Sequence, residues 1–213
     1  MTKTERKIAH AIGEFILLAL FTLISPLMVF VDALILGNEV EDLSITEITQ
    51  EILLFGSAAI FWFCAWKQTQ SRGFFALVAG FFSCMFIREL DSFFNVVWDG
   101  FWFWPAITVA IATISYTVFY CRGTVMEAMA DFIDKKPFYH IIFGLIIILV
   151  FSRVFGSGTL IWKYILSDGY HHVAKSAIQE GIELLGYIFL FYGSFLFFRE
   201  RKAQMIVAPG KAQ

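Results

Sequence analysis

Arg88, Glu89 and Asp91 stand inside the run CMFIRELDSFF, residues 84–94, whose flanks are as apolar as a membrane span. An ionisable side chain at such a depth is costly unless it faces a protein interior or a wet cavity, where it pairs with another group or carries function. Three more positions are of the same kind. Arg153 lies in LIIILVFSRVF, and Glu180 and Glu183 lie in QEGIELLGY. Two arginines against four carboxylates leave an excess of acid. A buried acid excess favours a bound cation, or a carboxylate that keeps its proton. The chemistry on offer is ion binding, and its candidate residues are Arg88, Glu89, Asp91, Arg153, Glu180 and Glu183.

A second constellation overlaps the first. His171 and His172 precede Glu180 and Glu183, and zinc or iron is commonly held by histidine together with carboxylates. A divalent metal is therefore a candidate cofactor. The spacing argues against a familiar centre, because EGIE is E-x-x-E. It is neither the E-x-x-H of di-iron bundles nor the H-E-x-x-H of zinc proteases. The chain also lacks an H-x-x-x-H pair, a G-x-S-x-G elbow, a phosphate-binding glycine loop and an aspartate-rich loop. Cys64, Cys84 and Cys121 form no metal-spaced pair and no disulfide framework.

The elements that must position these residues follow from composition. The 213-residue chain is 59% hydrophobic and 16% charged, with 26 Phe, and its mean hydropathy is +0.72. A soluble domain is nearer half apolar and about a quarter charged, so an all-α polytopic membrane protein is expected. A span needs about 20 apolar residues. Six segments qualify, at about 10–32, 50–68, 73–94, 100–121, 138–157 and 177–198, in one membrane domain over residues 1–213. The first apolar run is too long for a cleaved leader and is followed by no small-x-small site. Pro26 is expected to kink it. Lys3, Arg6, Lys7, Lys67, Arg72, Arg122, Lys135, Lys136, Arg199, Arg201, Lys202 and Lys211 all fall on one side of this six-span arrangement. That bias predicts both termini in the cytoplasm. The basic residues are scattered rather than patched, which excludes a nucleic-acid partner.

Depth then ties the charges together. Arg88 lies sixteen residues beyond Arg72, Arg153 sixteen beyond Pro137, and Glu183 sixteen before Arg199. Each is thus about 24 Å from the cytoplasmic boundary, so three helices bring opposite signs to one level near the outer face. Helical spacing puts Arg88, Asp91, Ser92 and Asn95 on one face of the third span and turns Glu89 about 100° away, toward a different neighbour. Glu180, Glu183 and Tyr187 share a face of the sixth. Gly181 and Gly186 allow close helix approach. Val125, Met129 and Phe132 mark a short interfacial helix, and LIWKYIL is expected to form an interfacial loop or re-entrant piece. The hydroxyls of the fourth span are read as packing groups. Three functions fit: a small inner-membrane, multi-pass protein binding a cation or proton for transport or ion coupling; a membrane-embedded metal-dependent hydrolase of a lipid or lipid-linked substrate; or a non-catalytic accessory subunit, homo-oligomeric or held in a larger membrane complex.

Overall fold

A computed structural model describes residues 2–36, 44–157, 162 and 171–207, with backbone alone at 34–36, 171–174 and 203–207. Among these residues the chain is helical and has no strand. Helix α1 spans Lys3–Phe30 and runs on into one π-helical stretch, Val31–Leu36. Its start is fixed by a capping box, in which Thr2 and Glu5 satisfy each other's backbone N–H groups. Helix α2 is Ile45–Lys67, α3 Arg72–Glu89, α4 Asp91–Asn95, α5 Phe103–Tyr120 and α6 Met126–Ile133. Helix α7, Lys136–Ile146, passes through a π-helical turn into α8, Ser152–Gly156. The long α9 is His171–Val207. Among the described residues, six segments are long and apolar enough to cross a membrane: Lys3–Ala33, Ile45–Lys67, Thr69–Glu89, Phe103–Tyr120, Lys136–Gly156 and Lys175–Lys202.

That count is the expected one, but several ends move: the first segment begins seven residues earlier and the second five residues earlier than expected, and the turn between the third and fourth is longer. The third segment does not reach residue 94 as its composition suggests; α3 ends at Glu89 because Leu90 leaves helical geometry, with φ −83° and ψ 22°. The chain restarts as α4 and then turns sharply. The Asn95 side-chain oxygen accepts a hydrogen bond from Gly100 N at 2.9 Å. Gly100 sits at φ 81°, a conformation that a side chain would resist. Helix α5 therefore starts at Phe103. Pro26 lies within α1, which continues through it.

Helix α9 is the axis of the bundle, packing on α7, α2, α1 and α8. Its buried face runs through Leu184, Tyr187, Ile188, Leu190 and Phe197. Where α7 crosses it, the backbones nearly touch. A Cβ on Gly144 would lie 2.6 Å from the Gly186 carbonyl oxygen and 2.8 Å from Leu190 N. Phe61 centres an aromatic core, stacked on Phe197 at 5.3 Å and edge-on to Phe82 and Phe132. Phe132 brings α6 into this core while Met126 and Met129 stay exposed. The amphipathic α6 is thus docked by Phe132 together with the buried Ala128. In the fourth apolar segment, Thr108 and Thr113 donate to their own helix's carbonyls, as packing groups do.

The start of α1, the start of α7 and the end of α9 share one end of the bundle. Lys136 Nζ is 3.3 Å from Glu14, and one cleft is lined by His10, Glu14, Lys136 and Arg199. The start of α3 joins them, since Arg201 lies over the Phe75 ring. Arg72, Lys136, Arg199 and Arg201 lie at this end.

Helix α1 is the most loosely held of the six, with an apolar face exposed from Ile8 to Phe30. Its contact with α9 includes Ser25 Oγ donating to the Gly181 carbonyl at 2.5 Å. Interhelical hydrogen bonds in membranes contribute about 0.6 kcal/mol on average. Ser25→Ala is expected to lose about that much in an unfolding titration in mixed micelles. A loss several times larger would show that α1 depends on this bond alone.

Candidate functional site

The polar residues collect at the opposite end of the bundle, where α3 and α8 finish and α2 and α9 are near their starts. Arg153 Nη2 on α8 is 3.5 Å from Glu183 Oε1 on α9. Glu183 is almost fully buried and also accepts from the Gln179 amide at 3.3 Å. Arg88 Nη1 and Glu89 Oε1 on α3 meet at 2.7 Å. Glu89 feels the charges of Arg153 and Glu183 as well as that of Arg88. Tyr187 is fully buried one turn below Glu183, and its hydroxyl stands beside Glu89 without hydrogen-bonding geometry. On α2 the buried Gln50 donates through Nε2 to Glu180 twice, at 2.9 Å to the carboxylate and 3.2 Å to the carbonyl. Glu180 in turn feels Glu183, Glu47 and Glu89.

The structure therefore brings together Arg88, Glu89, Arg153, Glu180 and Glu183, five of the six residues read from the sequence. Asp91 is outside the network: it heads α4, and among the described residues no hydrogen bond or ion pair joins it to the others. The face proposed for Arg88, Asp91, Ser92 and Asn95 assumes one continuous helix, and the break at Leu90 dissolves it. Glu89 does serve a different neighbour, since it faces α9 while it pairs with Arg88. Its side chain is 12% exposed, while that of Arg88 is 40% exposed. At the last turn of α3 the shorter carboxylate fits against α9, and the long guanidinium reaches outward, as long cationic side chains do.

Without Asp91 the charge count changes. Three of the carboxylates read from the sequence, Glu89, Glu180 and Glu183, remain with two guanidiniums, and Glu47 adds a fourth carboxylate near Glu180. Both arginines are paired, Arg88 with Glu89 and Arg153 with Glu183. That leaves Glu180 with a neutral amide, Gln50, as its hydrogen-bond partner and no cation among the described residues.

Two groups escape sequence reasoning. Gln50 lies in an apolar run, where an amide has no charge to attract notice. Asp32 stands at the end of the first apolar run, a position that by residue count is the outer boundary. It is fully buried, and its carboxylate accepts from Ile45 N and Thr46 N, both at 2.9 Å, and from Thr46 Oγ1 at 2.5 Å. It caps α2 from the end of α1, thirteen residues upstream. Ser44 completes that start by accepting from Glu47 N. Capping is a local signal only when the cap adjoins its helix, and Asp32 does not.

The proposed metal set falls partly outside what can be described, since the side chains of His171 and His172 are not among the described residues. Glu180 and Glu183 lie one turn apart on α9. Among the described residues, no three His, Cys, Asp or Glu side chains converge at metal-binding distances. The LIWKYIL segment is also outside the described residues except Trp162, which is buried and donates to the Phe155 carbonyl. The three cysteines are free.

The fold and site together define the class: an all-helical bundle with the build of a multi-pass membrane protein and a network of charges at one end. No protein-family model, curated protein or solved structure matches the chain.

Proposed function

We propose that the chain spans the inner membrane six times, with both termini in the cytoplasm, and binds a proton or small cation at the charged end. The basic end then faces the cytoplasm, in keeping with the bias of Lys and Arg to that side. The charged end lies near the outer face.

The observation that carries this reading is Glu180. It belongs to a set with more carboxylates than guanidiniums, and both Arg88 and Arg153 are paired with other acids. Among the described residues, Glu180 stands near Glu183, Glu47 and Glu89 with an amide as its hydrogen-bond partner and no cation, so one positive charge is wanting. A proton or a cation supplies it. Intramembrane acids in this situation are typical of ion and proton paths. The amide of Gln50 holds Glu180 in place with or without the ion.

Replacing Glu180 by glutamine removes the charge and keeps the shape. In proteoliposomes, Glu180→Gln is expected to abolish proton or cation flux, or in equilibrium titrations the ion-dependent change in tryptophan emission. Melting should shift by no more than a few degrees. Equal ion responses in wild type and Glu180→Gln would sink the proposal.

An accessory, non-catalytic role is the second reading. It is favoured by the way Arg153–Glu183 and Gln50–Glu180 tie α8, α9 and α2 together. On that reading Glu183→Gln costs stability and no ion response exists to lose.

A further inference from the structure

A cleft of about 640 Å³ runs along the outside of α2, α3 and α5 at the basic end, remote from the charged network. Its floor is small: Ala65 on α2, Ala76 on α3 and Ala112 on α5. Its walls are aromatic, from Trp62, Trp66 and Tyr116. The Trp62 ring is held by its N–H donating to Ser83 Oγ at 3.0 Å. At the rim stands Arg72, the first residue of α3. Its Nε donates to the Ala65 carbonyl at 3.1 Å, and among the described residues its two Nη groups have no partner. Lys67 is adjacent, with its ammonium 4.1 Å from the Trp66 ring centroid. No acidic side chain lines the cleft among the described residues.

The shape has two parts of different chemistry. The rim is at a helix end, where the apolar segment stops, and it carries two cations with unspent capacity. The body opens sideways along helix faces that are apolar and aromatic. A soluble anion would use the rim and ignore the body; an alkane would do the reverse. We propose that the cleft is a binding site for one anionic glycerophospholipid of the adjoining leaflet. Its phosphate sits on Arg72 Nη1 and Nη2 with Lys67 beside it, and one acyl chain lies over the three alanines between Trp62 and Tyr116. Guanidinium matches phosphate in a bidentate fork, and indole and phenol rings favour the headgroup level. The inference needs the chain to sit in a bilayer and is independent of what the charged end does.

The test is retention of lipid by the full chain in native mass spectrometry, using phosphatidylglycerol and phosphatidylethanolamine with identical acyl chains. Each juxtamembrane cation favours anionic lipid by roughly fivefold. Wild type is expected to retain phosphatidylglycerol at least about fivefold better. Arg72→Gln should bring the two lipids close to parity, and Arg72→Lys should keep part of the preference. Lys202→Gln, at the same end but outside the cleft, should keep all of it. Ala112→Trp fills the floor from an exposed position and should lower retention of both lipids. Glycerol phosphate, which has the headgroup charge and no chains, should not compete. An unchanged preference in folded Arg72→Gln overturns the proposal. So does full competition by glycerol phosphate, which would mark a free-anion site. Should Arg72→Gln fail to fold, Ala112→Trp decides: undiminished retention there means that the lipid lies elsewhere.

Discussion

Asp32→Ala is expected to destabilise the protein by about 3 kcal/mol, the loss typical of a buried charged acceptor with satisfied donors. The start of any helix leaves N–H groups without intrahelical acceptors, and here two of them, Ile45 N and Thr46 N, are answered by Asp32. The Thr46 hydroxyl, also buried, makes the third bond. Alanine strands all three donors, of which the Thr46 N–H and hydroxyl are buried. The negative charge is also lost from the positive end of the α2 dipole. An asparagine side chain keeps one acceptor oxygen, so Asp32→Asn should recover about half of the loss. Reversible unfolding in mixed micelles measures both. A midpoint for Asp32→Ala within error of wild type would mean that α2 is capped by some other group. Since Gln50 lies further along α2, fraying of this helix start also loosens the tie to Glu180. The Asp32→Ala variant should therefore weaken any ion response that Glu180→Gln abolishes.

The number of apolar helices was legible because hydrophobic runs near 20 residues have few other uses. The common level of Arg88, Arg153 and Glu183 was legible too, since it needs only residue counts and a fixed rise per residue. What failed was everything that depends on the local path of the backbone at the charged end. Nothing in RELDSFFN announces that Leu90 will break the helix, although Asp91 is a residue type suited to starting a new one. Once the break is there, the face shared by Arg88 and Asp91 disappears. Gln50 and Asp32 were missed for a different reason. Their partners are 130 and 13–14 residues away, and no periodicity connects such positions. Charge drew attention to the right end of the bundle. It was silent about the neutral amide that holds the odd carboxylate.

The charged network also depends on a contact that bears no charge. Helix α7 approaches α9 closely because Gly144 and Gly186 meet at their crossing, with Gly193 against the Pro137 carbonyl further along. An alanine methyl at 144 would face the Gly186 oxygen at 2.6 Å and Leu190 N at 2.8 Å. Both are backbone atoms in a helix and cannot rotate aside, so the helices must part. Overpacking of this kind costs about 1–3 kcal/mol, against a gain of up to about 1 kcal/mol from replacing a helical glycine. Gly144→Ala is expected to destabilise by about 2 kcal/mol. Gly13→Ala on α1, where nothing lies within 4 Å of the new methyl, should be neutral or slightly stabilising. The contrast separates packing from propensity. A further consequence reaches the site. Arg153 is carried nine residues beyond Gly144 on the continuation of the same helix, about 13 Å along its axis. Moving α7 outward draws its guanidinium from Glu183, a pair already at 3.5 Å. Arg153→Gln should then cost less in a Gly144→Ala background than in wild type, a coupling that a double-mutant cycle reads directly. Strict additivity of the two substitutions would show that the ion pair is placed by α9 and the end of α3 without help from the glycine crossing.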